Sequence, residues 1–211
     1  MTLKVLMLNG SPHPHGNTER ALEEIADTLK GEGVESEIVQ LGAKPVRGCI
    51  GCRKCHDTGR CIFDDDAVNE FVDKARGADG FVFGTPVYYA HPAGQALSFL
   101  DRAFYSGGSS GAFRHKPAAS VSVARRGGAT TSFDVMNKYF GISEMPVVSS
   151  TYWNIAYGQM QGEVEQDPEG MQTMRNVAHN MAWLLKCIEL GKASGFARPA
   201  SEYGEFTNFV R

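Results

Sequence analysis

Apolar positions along the chain follow two rhythms: short continuous runs, and longer stretches spaced by three or four residues. Residues 4–9 (KVLMLN) form a short apolar run stopped by Gly10, which predicts a buried strand. Between 18 and 30, Ala21, Leu22, Ile25, Ala26 and Leu29 recur at helical spacing, and Gly31 and Gly33 stop the pattern. Residues 35–41 give a weaker strand pattern. Asp65 or Asp66 then suits the N-cap of a helix with Val68, Phe71, Val72 and Ala75 on one face. A strand at 80–84 (GFVFG), a helix at 93–104, a strand at 118–124, a helix at 130–140 and a strand at 145–149 follow. The last helix runs from about Pro168 to Leu190, with proline in its first turn and a stripe of Met171, Met174, Ala178, Met181, Leu185 and Ile188.

Five strands alternating with five helices predict an α/β fold with a parallel sheet and helices on both faces. Right-handed crossovers leave few topologies, and five βα units suit the flavodoxin-like three-layer sandwich with strand order 2-1-3-4-5. One domain over 1–211 is expected. Three segments stand outside the alternation: a cysteine-rich loop at 42–66, an insertion at 151–166 and a C-terminal tail at 192–211.

Composition narrows the function. A net charge of −3 with dispersed basic residues gives no reason for a nucleic-acid partner. No apolar run approaches the roughly 20 residues of a membrane span, and the N-terminus lacks a signal-peptide pattern, so a cytoplasmic protein is expected. Four of the five cysteines, Cys49, Cys52, Cys55 and Cys61, lie close together. In a reducing compartment such a group favours metal or redox chemistry over disulfides. Cys187, far away on the last helix, is expected to be a buried inert thiol.

Open α/β sheets bind ligands outside the carboxyl ends of their strands, which singles out three loops. GSPHPHGNT follows the first strand and opens a helix; its backbone N–H groups and Ser11, Asn17 and Thr18 suit an anion. The plainer reading is a turn with Asn17 or Thr18 as helix cap. There is neither a Walker A lysine nor a Gly-x-Gly-x-x-Gly triplet. TPVYYAHPAG places Tyr88 and Tyr89 at the sheet edge, where they suit an aromatic ring or pack on the next helix. ARRGGATTSF offers Gly127 and Gly128 for close backbone approach, Arg125 and Arg126 of which one is expected to be solvated, and Thr130 or Thr131 as cap.

Taken in order, GSPHPHGNT, TPVYYAHPAG and VARRGGATTS resemble the three flavin loops of flavodoxin-fold, NAD(P)H-dependent FMN reductases, and within them the iron–sulfur flavoprotein branch. The resemblance covers residue 3 to about 188. It implies that FMN phosphate is held by Ser11, Asn17 and Thr18, with His13 standing where the family often carries Arg. It implies a flavin ring beside Pro86, Val87, Tyr88 and Tyr89 and beside Arg126, Gly127 and Gly128. NAD(P)H is then the implied electron donor.

The spacing Cys-x2-Cys-x2-Cys-x5-Cys is similar to the closely stepped run of bacterial ferredoxins. Structural zinc more often pairs two distant knuckles, so iron–sulfur is the better metal reading, with a metal-free loop still open. Arg47, Arg53, Lys54 and Arg60 surround the thiols and are expected to offset cluster charge. The resemblance implies a [4Fe–4S] cluster on these four cysteines, near FMN.

The expected function is an FMN-dependent oxidoreductase passing electrons from NAD(P)H to free flavin, a quinone, a redox protein or the cluster. The alternative is a non-enzymatic electron-transfer flavoprotein of iron–sulfur or flavodoxin type. A phosphate-ester enzyme lacks the acidic metal cluster its chemistry needs. Tyr152, Trp153 and Tyr157 in the insertion suggest a homodimer or homotetramer interface, or alternatively a lid over the flavin.

Overall fold

In the computed structural model, which describes residues 2–207, β1 (Lys4–Asn9) lies inside a parallel sheet between β2 (Glu35–Gln40) and β3 (Gly80–Tyr88). Its uninterrupted apolar run has a direct cause: Val5 and Met7 face one side of the sheet and Leu6 and Leu8 the other, and both sides are covered. Beyond β3 come β5 (Ala118–Ala124) and β6 (Ile155–Tyr157), giving the order β2-β1-β3-β5-β6. A two-residue antiparallel strand, β4 (His91–Pro92), folds back on the end of β3. The five parallel strands therefore follow the expected permutation, with β4 as an addition.

On one face, α1 (Asn17–Gly31) and α6 (Pro168–Ala193) pack their apolar stripes against Val5, Met7, Val82 and Val121. On the other, α3 (Val68–Gly77), α4 (Gly94–Ser109) and α5 (Ala129–Ile142) enclose Leu6, Leu8, Phe81 and Phe83. Phe71, Phe99, Phe104, Phe113 and Phe140 join Phe81 and Phe83 in a continuous aromatic cluster. Each such ring, fully buried, stabilises the fold by roughly 1.5–3 kcal/mol. Among the described residues no helix is long and apolar enough to cross a membrane.

The fifth parallel strand is displaced from its expected place. Among the described residues, 145–149 form one isolated bridge, Val147 with Ala118, in which the Pro146 carbonyl accepts from Ala118 N–H (2.9 Å) and Val148 N–H donates to the Ala118 carbonyl (2.8 Å). The chain leaves the sheet there and returns at β6, within 151–166, where Ser122 N–H donates to the Asn154 carbonyl at 3.0 Å. Buried Asn154 reaches back to the Val148 carbonyl, which braces the detour. A 3-10 turn (Glu163–Gln166) completes this segment.

Helix starts also differ from expectation. Gly16 and Gly128 are the N-caps of α1 and α5, and neither helix has a side-chain cap, so Asn17, Thr18, Thr130 and Thr131 do not serve as caps. Asp66 does accept from Val68 N–H at 3.1 Å ahead of α3. A short helix, α2 (Cys55–Thr58), breaks the cysteine loop and ends at Gly59. Of the tail at 192–211, Ser201 and Tyr203 hydrogen-bond to Glu144, and 208–211 lie outside the described residues.

Candidate active site

The carboxyl ends of β1, β3, β5 and β6 meet on one edge, where Gly10 N–H donates to the Gly84 carbonyl (2.8 Å) and Gly158 N–H to the Ala124 carbonyl (3.0 Å). The loop after β1 is shaped by polar side chains at the strand ends. Ser11 N–H donates to Asn9 Oδ1 (3.1 Å), the Ser11 carbonyl accepts from Gln40 Nε2 (2.7 Å), and Ser11 Oγ accepts from His13 N–H (3.1 Å). Asn9 and Gln40 are also bonded to each other. With only Gly16 ahead of it, α1 opens without a cap, and its first-turn N–H groups remain available to an anion.

That helix start forms the floor of a cavity of about 460 Å³ whose wall carries Ser11, His13, Asn17, Thr18, Pro86, Val87 and Tyr88. The volume falls in the roughly 300–1,000 Å³ range of small-molecule sites. Among the described residues no acidic side chain lines it, and Arg125 contributes a cation. Among the described residues the Thr18 hydroxyl makes no bond to protein, while its methyl packs near Gly84. Burial pushes the Tyr88 phenol above its usual pKa, so it stays a neutral donor.

Four expected positions stand differently. Both ends of the Asn17 amide are engaged, Nδ2 with the Met160 carbonyl (2.8 Å) and Oδ1 with Val164 N–H (3.3 Å), so it ties the start of α1 to the 158–164 loop. Gly158 permits that contact, since a Cβ there would stand 2.9 Å from Asn17 Nδ2 and 2.7 Å from Val164 N. Tyr89 is off the wall and fully exposed: with φ 52° it forms, with Ala90 at φ 58°, the two-residue turn joining β3 to β4. Arg126 flanks a neighbouring opening, and Arg125 reaches both. Gly127 is exposed, whereas Gly128 holds the third loop against Ala90.

Sequence reasoning missed Asn9, Gln40, Gly158, Gln159 and Gln161. Polar residues closing two adjacent strands were the available signal for the first two. The others belong to a segment without periodicity.

A second cavity lies beside α4. All four clustered cysteines line it: Cys55 is buried at the start of α2, Cys61 half-buried, and Cys49 and Cys52 exposed. Burial, followed by the presence of the other three thiols, pushes the Cys55 thiol up. Among the described residues no three His, Cys, Asp or Glu side chains stand close enough to share a single metal ion. Of the expected cations only Arg53 lines this cavity; Arg47 pairs with Asp65, and Arg60 with Asp64 and Asp73. The cation that reaches a thiol is instead Arg102, from α4, with Nε 3.2 Å from Cys61 Sγ. Cys187 sits on the exposed side of α6, not in the core.

An open parallel sheet with an anion-accepting cavity at its carboxyl edge, next to its strand-order reversal, defines the class: a flavodoxin-like α/β protein. Residues 3–159 match the NADPH-dependent FMN reductases, and the chain belongs to that family. It is an FMN-dependent oxidoreductase. An iron–sulfur flavoprotein of Methanocaldococcus jannaschii is 32% identical over 200 residues, 89% of this chain and 100% of the relative. Another iron–sulfur flavoprotein, from Methanosarcina thermophila, is 28% identical over 191 residues, 89% of this chain and 97% of that one. Among solved structures, a WrbA-like flavodoxin from Agrobacterium tumefaciens superposes with a TM-score of 0.63 at 17% identity, covering 89% of this chain and 99% of the other.

Proposed function

We propose that FMN binds in the β1–β3–β5 cavity with its phosphate on the loop from Ser11 to Thr18 and its ring beside Pro86, Val87, Tyr88 and Arg125. The uncapped start of α1, opening on a cavity that no carboxylate of the described residues lines, carries this reading. Asn17 and Gly158 act by holding the neighbouring loop rather than by touching phosphate. Bound flavin supplies hydride and single-electron chemistry, and the chain supplies binding, orientation and a partly dry site. NAD(P)H is the proposed donor, and a small molecule such as free flavin or a quinone, or a redox protein, the acceptor.

The experiment is a titration of FMN fluorescence with wild type and Thr18→Val, which removes the hydroxyl and keeps the methyl beside Gly84. Loss of a donor to a charged phosphate costs roughly 1.5–3 kcal/mol, about ten- to a hundred-fold in affinity. Equal affinities would remove the phosphate from this loop.

The four cysteines are proposed to ligate one [4Fe–4S] cluster. Their common cavity supports this, as do the names of the two iron–sulfur flavoprotein relatives. Thiolates around a multi-iron cluster stand further apart than around one ion, which agrees with the lack of a tight three-residue group among the described residues. The shared cysteine cavity and the relatives' names also favour a second reading, in which the protein mainly relays electrons between flavin, cluster and a partner protein.

A homodimer or homotetramer is proposed from the exposed aromatic side chains of 151–166. Tyr152 and Trp153, in edge-to-face contact and each about half exposed, leave an apolar surface that a second copy would cover. Light scattering at micromolar concentration should give a mass at least twice that of one chain; a monomer excludes the assembly.

A further inference from the structure

Arg102 heads the large fully buried side chains of the described residues, with 1% exposure, and it occupies the apolar stripe of α4 between Phe99, Leu100 and Ala103. A guanidinium is costly there unless every donor finds a partner. Its partners all belong to the cysteine loop. Nη2 donates to the Phe63 carbonyl (2.9 Å), Nη1 to the Arg47 carbonyl (3.3 Å) and to the Asp66 carboxylate, and Nε to Cys61 Sγ (3.2 Å). Arg47 precedes the first cysteine of the group and Phe63 and Asp66 follow the last, so one side chain joins both stems of the loop to the core. The Asp66 carboxylate, 4% exposed, balances the charge.

Cys61 is gripped by its backbone as well. Its N–H donates to Asn69 Oδ1 and its carbonyl accepts from Asn69 Nδ2, both at 2.9 Å, and Asn69 is itself buried on α3. Short Cys-x2-Cys steps bring the other three thiols together with little loop closure, but five residues separate Cys55 from Cys61. The fourth thiol therefore needs an anchor outside the loop, and the fold provides one to its N–H, its carbonyl and its sulfur.

We propose that Arg102 and Asp66 form a positioning pair that holds Cys61 as the fourth cluster ligand and sets the reduction potential of the cluster through two opposed effects. This rests on the cluster reading above. A hydrogen bond donated to a ligand sulfur stabilises the more negative, reduced state and raises the potential. The Asp66 carboxylate opposes that, because a nearby negative charge disfavours adding an electron. The couple transfers one electron and breaks no bond.

The two substitutions carry opposite signs. Arg102→Lys keeps a cation for Asp66 but has no nitrogen at the Nε position, so the potential falls. Asp66→Asn keeps the side-chain shape and the oxygen that accepts from Val68 N–H, yet removes the negative charge, so the potential rises. A loop that was only loosened, letting water in, would move both variants the same way.

The test uses the full chain reconstituted anaerobically with iron and sulfide, titrated with dithionite and mediators and read by electron paramagnetic resonance. Wild type first establishes iron and acid-labile sulfide content. The expected result is a downward shift for Arg102→Lys of about tenfold in the one-electron equilibrium, or about 59 mV, and an upward shift for Asp66→Asn. Unchanged potentials, or shifts of the same sign, overturn the pair while leaving the cluster in place. A wild type that takes up neither iron nor sulfide overturns the cluster reading and this assignment with it. If Arg102→Lys does not fold, the Asp66→Asn potential decides: an upward shift supports the pair, and none rejects it.

Discussion

Anaerobically prepared protein is expected to hold about four iron and four sulfide per chain, and Cys55→Ala to lose nearly all of both. Cys55 sits at the centre of the loop, the one thiol of the four that is buried, three residues from Cys52 and opening α2. Its Sγ lies 3.9 Å from the Tyr105 carbonyl of α4, so the thiol is directed between the loop and the helix that carries Arg102. Truncation there leaves three thiolates, of which Cys49 and Cys52 are exposed, and a partial cluster open to solvent and oxidants. The apo fold should survive, since the stems remain held by Arg102 and Asn69. Iron and acid-labile sulfide assays, with the broad visible absorption of a cluster, measure the outcome. Full flavin occupancy with neither iron nor sulfide in wild type would reject the cluster.

Gly128→Ala is expected to destabilise the protein by about 2–5 kcal/mol, combining roughly 1–2 for a left-handed residue that acquires a Cβ and roughly 1–3 for overpacking. Gly128 has φ 88°, and its added Cβ would stand 2.2 Å from Ala90 Cα and 2.6 Å from Ala90 Cβ. Neither neighbour can rotate away: one is backbone, and the other belongs to the turn where Tyr89 and Ala90 both hold positive φ. The third loop or the β3–β4 hairpin must move, and these carry Arg125 and Tyr88 on the cavity wall. FMN affinity should fall together with the melting temperature. Gly127→Ala is the control, because it is exposed and a Cβ there meets nothing within 4 Å; its effect should stay within about 0.5 kcal/mol. A Gly128→Ala protein that melts and binds FMN like wild type would show that the two loops do not abut.

The loops at the carboxyl edge and the cysteine cavity were unequally legible in the sequence. Ser11, His13, Thr18 and Pro86 to Tyr88 were legible because Gly and Pro punctuate the loops, and a parallel sheet brings its strand ends to one edge whatever the side chains are. The cysteine spacing was legible as well. Arg102 was not, although a charge on an otherwise apolar helical stripe was a local signal, because its four partners lie 36 to 55 residues away.

By itself the sequence determined the alternation of strands and helices, the two-sided burial of β1 and the strand permutation, since apolar period and crossover handedness are properties of short segments. Only the tertiary structure decided where the fifth strand forms. The run at 145–149 is longer than Ile155–Tyr157, but it pairs with β5 only at Ala118, and Asn154 supplies the carbonyl that meets Ser122 N–H. Only the tertiary structure turned Asn17 from a cap into a tie between loops, placed Arg125 rather than Arg126 on the cavity, and put Tyr89 in solvent. Asn17 answers to Met160 and Val164, far away in the chain, and a hydrogen bond across that distance has no signature in local spacing.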